Sequence, residues 1–229
     1  MPSNRFYIDA DLKAETLSLD GEEFHHLVRV MRMQENDTVE VVNGRGMLAT
    51  ATIQNIGKAE ATLRVSSLHT AKKSREIILA QAIPRMNHLE WIIEKGTELG
   101  ATAFWLFPGE LSEKNTLSPN QEERLKALSI AAMKQCGSLF LPAIIVKPSL
   151  SQWTPIPGSL IYGDTRENAP KIPHALKDPV VIFIGPEKGF AQKEIEILEH
   201  RLKALGVKLH DNILRTETAA ITALAQLFR

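Results

Sequence analysis

Two short stretches carry residue types that can hold a ligand and act on it. The first, Gly185-Pro186-Glu187-Lys188-Gly189, follows the apolar run Val180-Val181-Ile182-Phe183-Ile184. Its glycines permit positive φ and close approach of another molecule to the main chain, while Pro186 fixes the turn. Glu187 puts a carboxylate in the middle of that tight loop. The second stretch, His210 to Ala219 (HDNILRTETA), lies between Gly206-Val207-Lys208-Leu209 and a final helical segment. Thr216 or Thr218 can cap that helix, whose first backbone N–H groups otherwise lack partners, and Arg215 and Glu217 flank the cap. Taken singly, a Gly-Pro loop is most often only a turn, and Thr and Glu at a helix start are ordinary capping and dipole chemistry. Their joint occurrence is what points to a binding site.

The elements that must position these loops are legible as alternation. From about Glu76, apolar strands (76–83, 103–108, 143–146, 159–163, 180–185, 206–209) alternate with helical stretches (88–99, 122–135, 193–205, 217–228). That pattern predicts an α/β domain with a largely parallel sheet. In such sheets ligands bind beyond the carboxyl ends of the strands, where both loops lie. Up to residue 72 the pattern differs. Short alternating strands there are joined by turn residues, with Asn43-Gly44-Arg45-Gly46 as a hairpin connection, and predict a small β-rich domain. The polar, basic join HTAKKSRE fits a domain boundary.

Composition restricts the function. With 27 Lys and Arg against 27 Asp and Glu, no overall field advertises a nucleic-acid partner, so any basic surface must be local. The single cysteine, Cys136, excludes an intramolecular disulfide, and no Cys/His grouping has structural zinc spacing, so no metal is expected and a reducing cytoplasm fits. The start MPSNRFYIDADLK has acidic residues and no long apolar run, which reads as neither signal peptide nor membrane anchor. No strand is followed by a G-x-G-x-x-G turn. A local basic edge is present in FHHLVRVMRM. On a helix His25, Arg29 and Arg32 share one stripe, at i, i+4 and i+7, and Phe24, Leu27, Val28 and Met31 share another. Such an edge can grip phosphates without reading sequence, or it is an ordinary solvated face. Arg5, Lys72, Lys73 and Arg75 are weaker candidates for the same surface.

In order and spacing, HHLVRVMRMQENDTVEVVNGRG, RMNHLEWIIEKGTELGA, AAMKQCG, IGPEKGF and ILRTETAAITAL resemble the ribosomal RNA small subunit methyltransferase E family, a branch of the SPOUT superfamily. The resemblance covers essentially the whole chain, and ILRTETA is its most specific motif. It implies an N-terminal PUA-like RNA-binding β-barrel (1–72) and a C-terminal trefoil-knotted α/β methyltransferase domain (73–229). It further implies a homodimer that binds S-adenosylmethionine in the knot and methylates N3 of a uridine in 16S rRNA of the assembling or assembled small subunit. Cofactor contacts are implied for Gly185, Gly189, Leu209, Ile213, Leu214 and Thr216. RNA contacts are expected from Arg5, His25, Arg29 and Arg32.

The implied chemistry assigns the remaining polar residues. Uracil N3 carries a proton that must be removed, or the resulting anion stabilised, before it accepts a methyl group. Arg215 can stabilise negative charge on O2 or O4. Glu187 can accept the N3 proton or, alternatively, fix the loop through backbone N–H groups. Several positions depart from the family pattern. Lys188 replaces a glycine and pays strain if its φ is positive. Lys134 replaces a glutamate, Lys114 an arginine, and His210 and Asn212 stand where glycine and arginine are frequent. The arginine that commonly follows Gly137 is missing. These changes keep two other readings open: a SPOUT enzyme acting on a ribose 2'-hydroxyl, and a non-catalytic RNA-binding protein that retains the fold.

Overall fold

The computed structural model describes residues 4–73 and 75–228. Within them the chain divides into two compact units, one of residues up to 73 together with 130–141, the other of 75–129 and 142–228.

The first unit is built on β1 (Arg5–Tyr7), β2 (Thr16–Asp20), α1 (Gly21–His25), β3 (Thr38–Val42), β4 (Met47–Ile56) and β5 (Glu60–Thr70). The strands form one sheet in the order β1-β3-β4-β5-β2, with β1 parallel to β3 and the other pairs antiparallel. Period-two alternation decides which side chains turn inward. Leu17 and Leu19 of β2 are buried while Thr16, Ser18 and Asp20 are exposed. They meet Phe6, Val39, Val41, Ala51, Ile53 and Leu63 in one apolar core. Register slips near Thr50 and Ile53 in the β4–β5 pair add local twist. The expected hairpin forms between β3 and β4, with Gly44 and Gly46 at φ +68° and +91° and the Asn43 side-chain oxygen accepting from the N–H groups of Arg45 and Met47. Segment 130–141 packs on this hairpin: Gly46 N–H donates to the Leu139 carbonyl, and a Cβ on Gly46 would come within 2.8 Å of the Phe140 ring. Lys134, one of the departures, pairs there with Glu23.

The second unit runs β6 (Ile77–Ala82), α2 (Met86–Glu98), β7 (Ala103–Phe107), α3 (Pro119–Cys136, whose residues from 130 onward group with the first unit), β8 (Ala143–Val146), β9 (Ser159–Gly163), β10 (Val180–Ile184), α4 (Gln192–Glu196), β11 (Leu205–Val207) and α5 (Thr216–Leu227). Its six strands are parallel throughout, in the order β11-β9-β10-β6-β7-β8. The central strands β6 and β10 are buried at every position, because apolar layers cover both faces. Leu89, Ile92 and Ile93 of α2 with Ala220 and Leu224 of α5 supply one layer. Trp153, Leu198 and Leu202 supply the other. No helix among the described residues is long and apolar enough to cross a membrane.

Two helical segments end differently from the periodic expectation, and in the same way. After α1 the helix widens into a π turn over His26–Val30, Met31 N–H returns to the His26 carbonyl, and Arg32 adopts a left-handed φ of +54°. After α4 the π turn spans Ile197–Arg201, Leu202 N–H returns to Ile197, and Lys203 has φ +59°. The helix expected to run to residue 205 therefore stops before β11. In both places the left-handed residue lets the next N–H groups satisfy carbonyls of the last turn, a role usually given to glycine. The apolar stripe behaves as expected, with Phe24 and Leu27 buried and Val28 and Met31 packed beside them. The basic stripe does not extend to Arg32, which lies beyond the helix end.

A non-glycine residue in the left-handed region costs about 1–2 kcal/mol, part of which glycine gives back as entropy in the unfolded chain. Lys203→Gly is therefore expected to raise unfolding free energy by about 0.5–1 kcal/mol, read as a higher urea midpoint with an unchanged slope. A lower midpoint contradicts this account of the turn.

Candidate functional site

The cavity of interest, about 620 Å³, lies beyond the carboxyl ends of the adjacent strands β11, β9 and β10. Segments 162–165, 184–190 and 208–214 line it, with Thr216 and Ala219 of α5. Parallel strands deliver these loops to one edge, and the volume is ordinary for a small-molecule site.

The first loop is held by its own geometry. Gly189 N–H donates to the Pro186 carbonyl at 2.9 Å, and a Cβ on Gly185 would stand 2.9 Å from the Gly189 carbonyl carbon. Gly189, at φ +73°, takes the left-handed position, whereas Lys188 is absent from the left-handed residues. The strain expected of Lys188 therefore does not arise. Glu187 turns back toward α2: its Oε1 accepts the Arg85 N–H at 2.8 Å, and its side chain is 26% exposed.

The second loop is joined to the first through a buried amide. Gln81, at the end of β6 and 0% exposed, directs Nε2 to the carbonyls of Ala82 (2.9 Å) and Gly185 (3.1 Å) and to Thr216 Oγ1 (3.0 Å). Thr216 in turn donates its hydroxyl to the Gly185 carbonyl at 2.6 Å. This corrects the capping expectation. The N-cap position is Arg215, no side chain caps the helix there, and the Thr216 hydroxyl is spent on the facing loop. Further along α5, Gln226 Nε2 donates to the Leu209 carbonyl, and Asn212 N–H donates to His210 Nδ1 at 3.0 Å. At the far wall Tyr162 donates its hydroxyl to Glu199, while Arg166 bridges Asp164 and Glu199. Burial and the Glu199 hydrogen bond push the Tyr162 phenol well above its ordinary value, so it stays protonated as a donor.

The structure brings Gly185, Gly189, Leu209, Ile213, Leu214 and Thr216 to this one cavity, with Glu187 among them. Arg215 is next to the wall rather than in it: it is exposed and lies outside the lining. In the other unit His25, Arg29 and Arg32 are exposed. Arg5 is not available as expected. Its side chain is 7% exposed and its Nε and NH2 both hold Glu40 Oε2, an interaction across the β1–β3 pair. Arg75 is tied to Asp178 and to the Leu227 carbonyl.

Three residues escaped sequence reasoning. Gln81 left one signal, a lone amide in the apolar strand Ile-Ile-Leu-Ala-Gln-Ala. His88 in the first turn of α2 left almost none, yet its Nδ1 lies 3.2 Å from Glu187 Oε1 and 3.6 Å from Glu217 Oε2. Gly163 allows the close fit of β9 to the cavity floor, since a Cβ there would meet Ile184 at 3.2 Å and Leu209 at 3.3 Å.

Known proteins align with this chain along nearly its whole length. A family model described as an RNA methyltransferase domain matches residues 71–228, and one described as an RNA methyltransferase PUA domain matches residues 19–66. The chain is 30% identical to the ribosomal RNA small subunit methyltransferase E of Rickettsia conorii, over 99% of this chain and 96% of that protein. It is 29% identical to the Bacillus subtilis protein of the same name, over 94% and 90%. The crystal structure of a ribosomal RNA small subunit methyltransferase E from Neisseria gonorrhoeae, bound to S-adenosyl methionine, superposes with a TM-score of 0.88 at 25% identity, covering 98% of this chain and 96% of that one.

Removing one partner of a buried hydrogen-bond group leaves the others unsatisfied, at about 1–3 kcal/mol, whereas exposed substitutions stay within about 0.5 kcal/mol. Gln81→Met, similar in volume, is therefore expected to lower unfolding free energy by about 1–3 kcal/mol in urea titrations, and Arg215→Ala to leave it nearly unchanged. Equal effects from the two changes contradict the division between a buried junction and an exposed arginine.

Proposed function

This chain belongs to the ribosomal RNA small subunit methyltransferase E family, and on that premise we propose that it transfers a methyl group from S-adenosylmethionine to N3 of a uridine in 16S rRNA. The observation that carries the reading is the meeting of the Gly185–Gly189 loop and the 208–216 segment around one cavity. Within this reading residues 1–72 are the RNA-binding part and residues 73–229 the methyltransferase part, with its cofactor site in a trefoil knot. The working form is a cytoplasmic homodimer acting on the small subunit.

The residues present fit the cofactor. Gly163 lets Ile184 and Leu209 pack closely at the cavity floor and Gly185 lets the loop return on itself, so that Ile184, Leu209 and Leu214 offer apolar walls to an adenine. Gly189, Ile213 and Thr216 complete the proposed contacts. When bound, S-adenosylmethionine supplies an electrophilic methyl group on a sulfonium. The chain's own residues must then orient the uracil, exclude water and manage the N3 proton. Arg215, exposed beside the cavity wall, is assigned to the negative charge that develops on a uracil oxygen as that proton leaves. Glu187 already accepts a backbone N–H from Arg85, which supports its assignment as loop anchor over general base. Exposed His25, Arg29 and Arg32 are assigned to phosphate contacts, which position RNA without reading its sequence. Arg5, committed to Glu40, is withdrawn from that set.

Incubation of the protein and S-adenosylmethionine with small subunits from a deletion strain, followed by reverse transcription, tests the activity. N3 methylation blocks Watson–Crick pairing, so a new stop at one uridine is expected. Methyl incorporation without a stop at ordinary nucleotide levels redirects the reading to the ribose, and no incorporation removes it.

An electrostatic donor acting only in the transition state is worth about 2.7–4 kcal/mol. Arg215→Ala is accordingly expected to slow single-turnover methylation by about a hundredfold to a thousandfold, with much less change in cofactor affinity. Raising the pH should recover part of the loss by supplying more N3-deprotonated uridine. Full activity in the variant takes Arg215 out of the mechanism.

A further inference from the structure

Beside the cofactor loop one imidazole faces two carboxylates contributed by different elements. His88 comes from the first turn of α2, Glu187 from the Gly185–Gly189 loop and Glu217 from the first turn of α5. His88 Nδ1 is 3.2 Å from Glu187 Oε1 and 3.6 Å from Glu217 Oε2. Nδ1 and Glu217 Oε2 are both shut off from solvent, and neither has a well-directed hydrogen bond. Buried polar atoms left in this state are costly unless charge pairs them.

Among the described residues, no neighbouring cation's side chain hydrogen-bonds either carboxylate. The Arg85 guanidinium is hydrogen-bonded to Glu113 through Nε and NH2, at 2.9 and 2.7 Å; its backbone N–H donates to Glu187, and its charge acts on that carboxylate only through space. Lys188, on the loop itself, acts on Glu113. Arg215, at the start of α5, is exposed. A neutral imidazole offers Nδ1 as a donor to one carboxylate at most and leaves the two glutamates repelling each other, whereas an imidazolium attracts both.

We propose that His88 is a positioning residue whose imidazolium clasps Glu187 and Glu217, holding the cofactor loop against the first turns of α2 and α5, and whose deprotonation loosens that loop. The inference rests on the reading of the cavity as the S-adenosylmethionine site. The clasp needs the imidazolium, so it is present where the ring is protonated and lost where it is not, and pH is the variable that tests it. A permanently charged arginine should keep the clasp throughout, and glutamine should lack it throughout.

The test uses the full-length protein with wild type, His88→Arg and His88→Gln, measured from pH 5.5 to 8.5. Amide hydrogen exchange over residues 185–190, without ligand, reads the clasp directly. Taking His88→Arg as the reference cancels the intrinsic pH dependence of exchange. Calorimetry with S-adenosylmethionine reads its consequence for binding, with the same reference cancelling ionisation of the cofactor's own amino group. Relative to His88→Arg, wild type is expected to match at pH 5.5 and to show about tenfold faster exchange and tenfold weaker binding at pH 8.5. His88→Gln should be impaired at both ends. The clasp is overturned if His88→Gln exchanges like wild type at pH 5.5, or if wild type and His88→Arg share one exchange profile across the range. Exchange that follows the expected pattern in a protein showing no cofactor binding at any pH sustains the clasp and removes the cofactor reading instead.

Discussion

The buried amide of Gln81 is the point at which strand, loop and helix become one object. Two amide hydrogens are shared among the Ala82 and Gly185 carbonyls and the Thr216 hydroxyl, in a place where no water competes. Thr216 donates its own hydroxyl to the same Gly185 carbonyl. Hydrogen bonds of this kind contribute little net stability when made and cost much more when one partner is missing. Their effect is therefore on specificity of position. The end of β6 sets where Gly185 stands, Gly185 sets where α5 begins, and the start of α5 sets the course of the 208–214 segment whose Leu209 carbonyl Gln226 secures. The Gln81 side-chain oxygen is left without a partner, so the junction accepts one loss while its amide nitrogen serves the Ala82, Ile184 and Gly185 carbonyls and the Thr216 hydroxyl.

The sheet and its helices were legible because burial on both faces of β6 and β10 writes uninterrupted apolar runs, and the helices between them carry the helical period. The convergence of the two loops was legible for the same reason, since parallel strands must end together. What escaped notice depends on distant partners. Thr216 looks like a cap because threonine at a helix start usually is one, and nothing local says that a carbonyl from residue 185 will compete for its hydroxyl. The π turns after α1 and α4 are set by a left-handed Arg32 and Lys203, residue types that give no warning of positive φ. Arg5 looks basic and terminal, yet the β1–β3 pairing lays it over Glu40. Nor does the segment 130–141 announce that it packs with the N-terminal strands. Its fit comes from two glycines of the β3–β4 hairpin that make room for Leu141 and Phe140.

The departures from the family pattern read differently once placed. Lys134 is a cation beside Glu23, a pairing inside the N-terminal unit. Lys188 occupies a loop position whose φ suits any residue, the left-handed demand falling on Gly189 one position later. His210 supplies Nδ1 to the Asn212 N–H, so these two unusual residues shape their own turn. These four changes each find a local partner or a permissive backbone.

That tolerance has a common origin. A cavity lined at loop ends depends on the path of the backbone, and side chains bear on that path where they would crowd a close approach or where they fix it. The first condition singles out Gly163 and Gly185, whose missing Cβ atoms leave room for Ile184, Leu209 and the returning loop. The second singles out Gln81, Thr216 and Glu187, which bind carbonyls or an N–H of segments remote in sequence. Position 188 meets neither condition, since its side chain is exposed and the left-handed position of the loop falls to Gly189. On the proposed reading, chemistry on a uridine falls to groups outside the wall, where Arg215 stands, and the residues that shape the cavity are separate from those that act on the substrate.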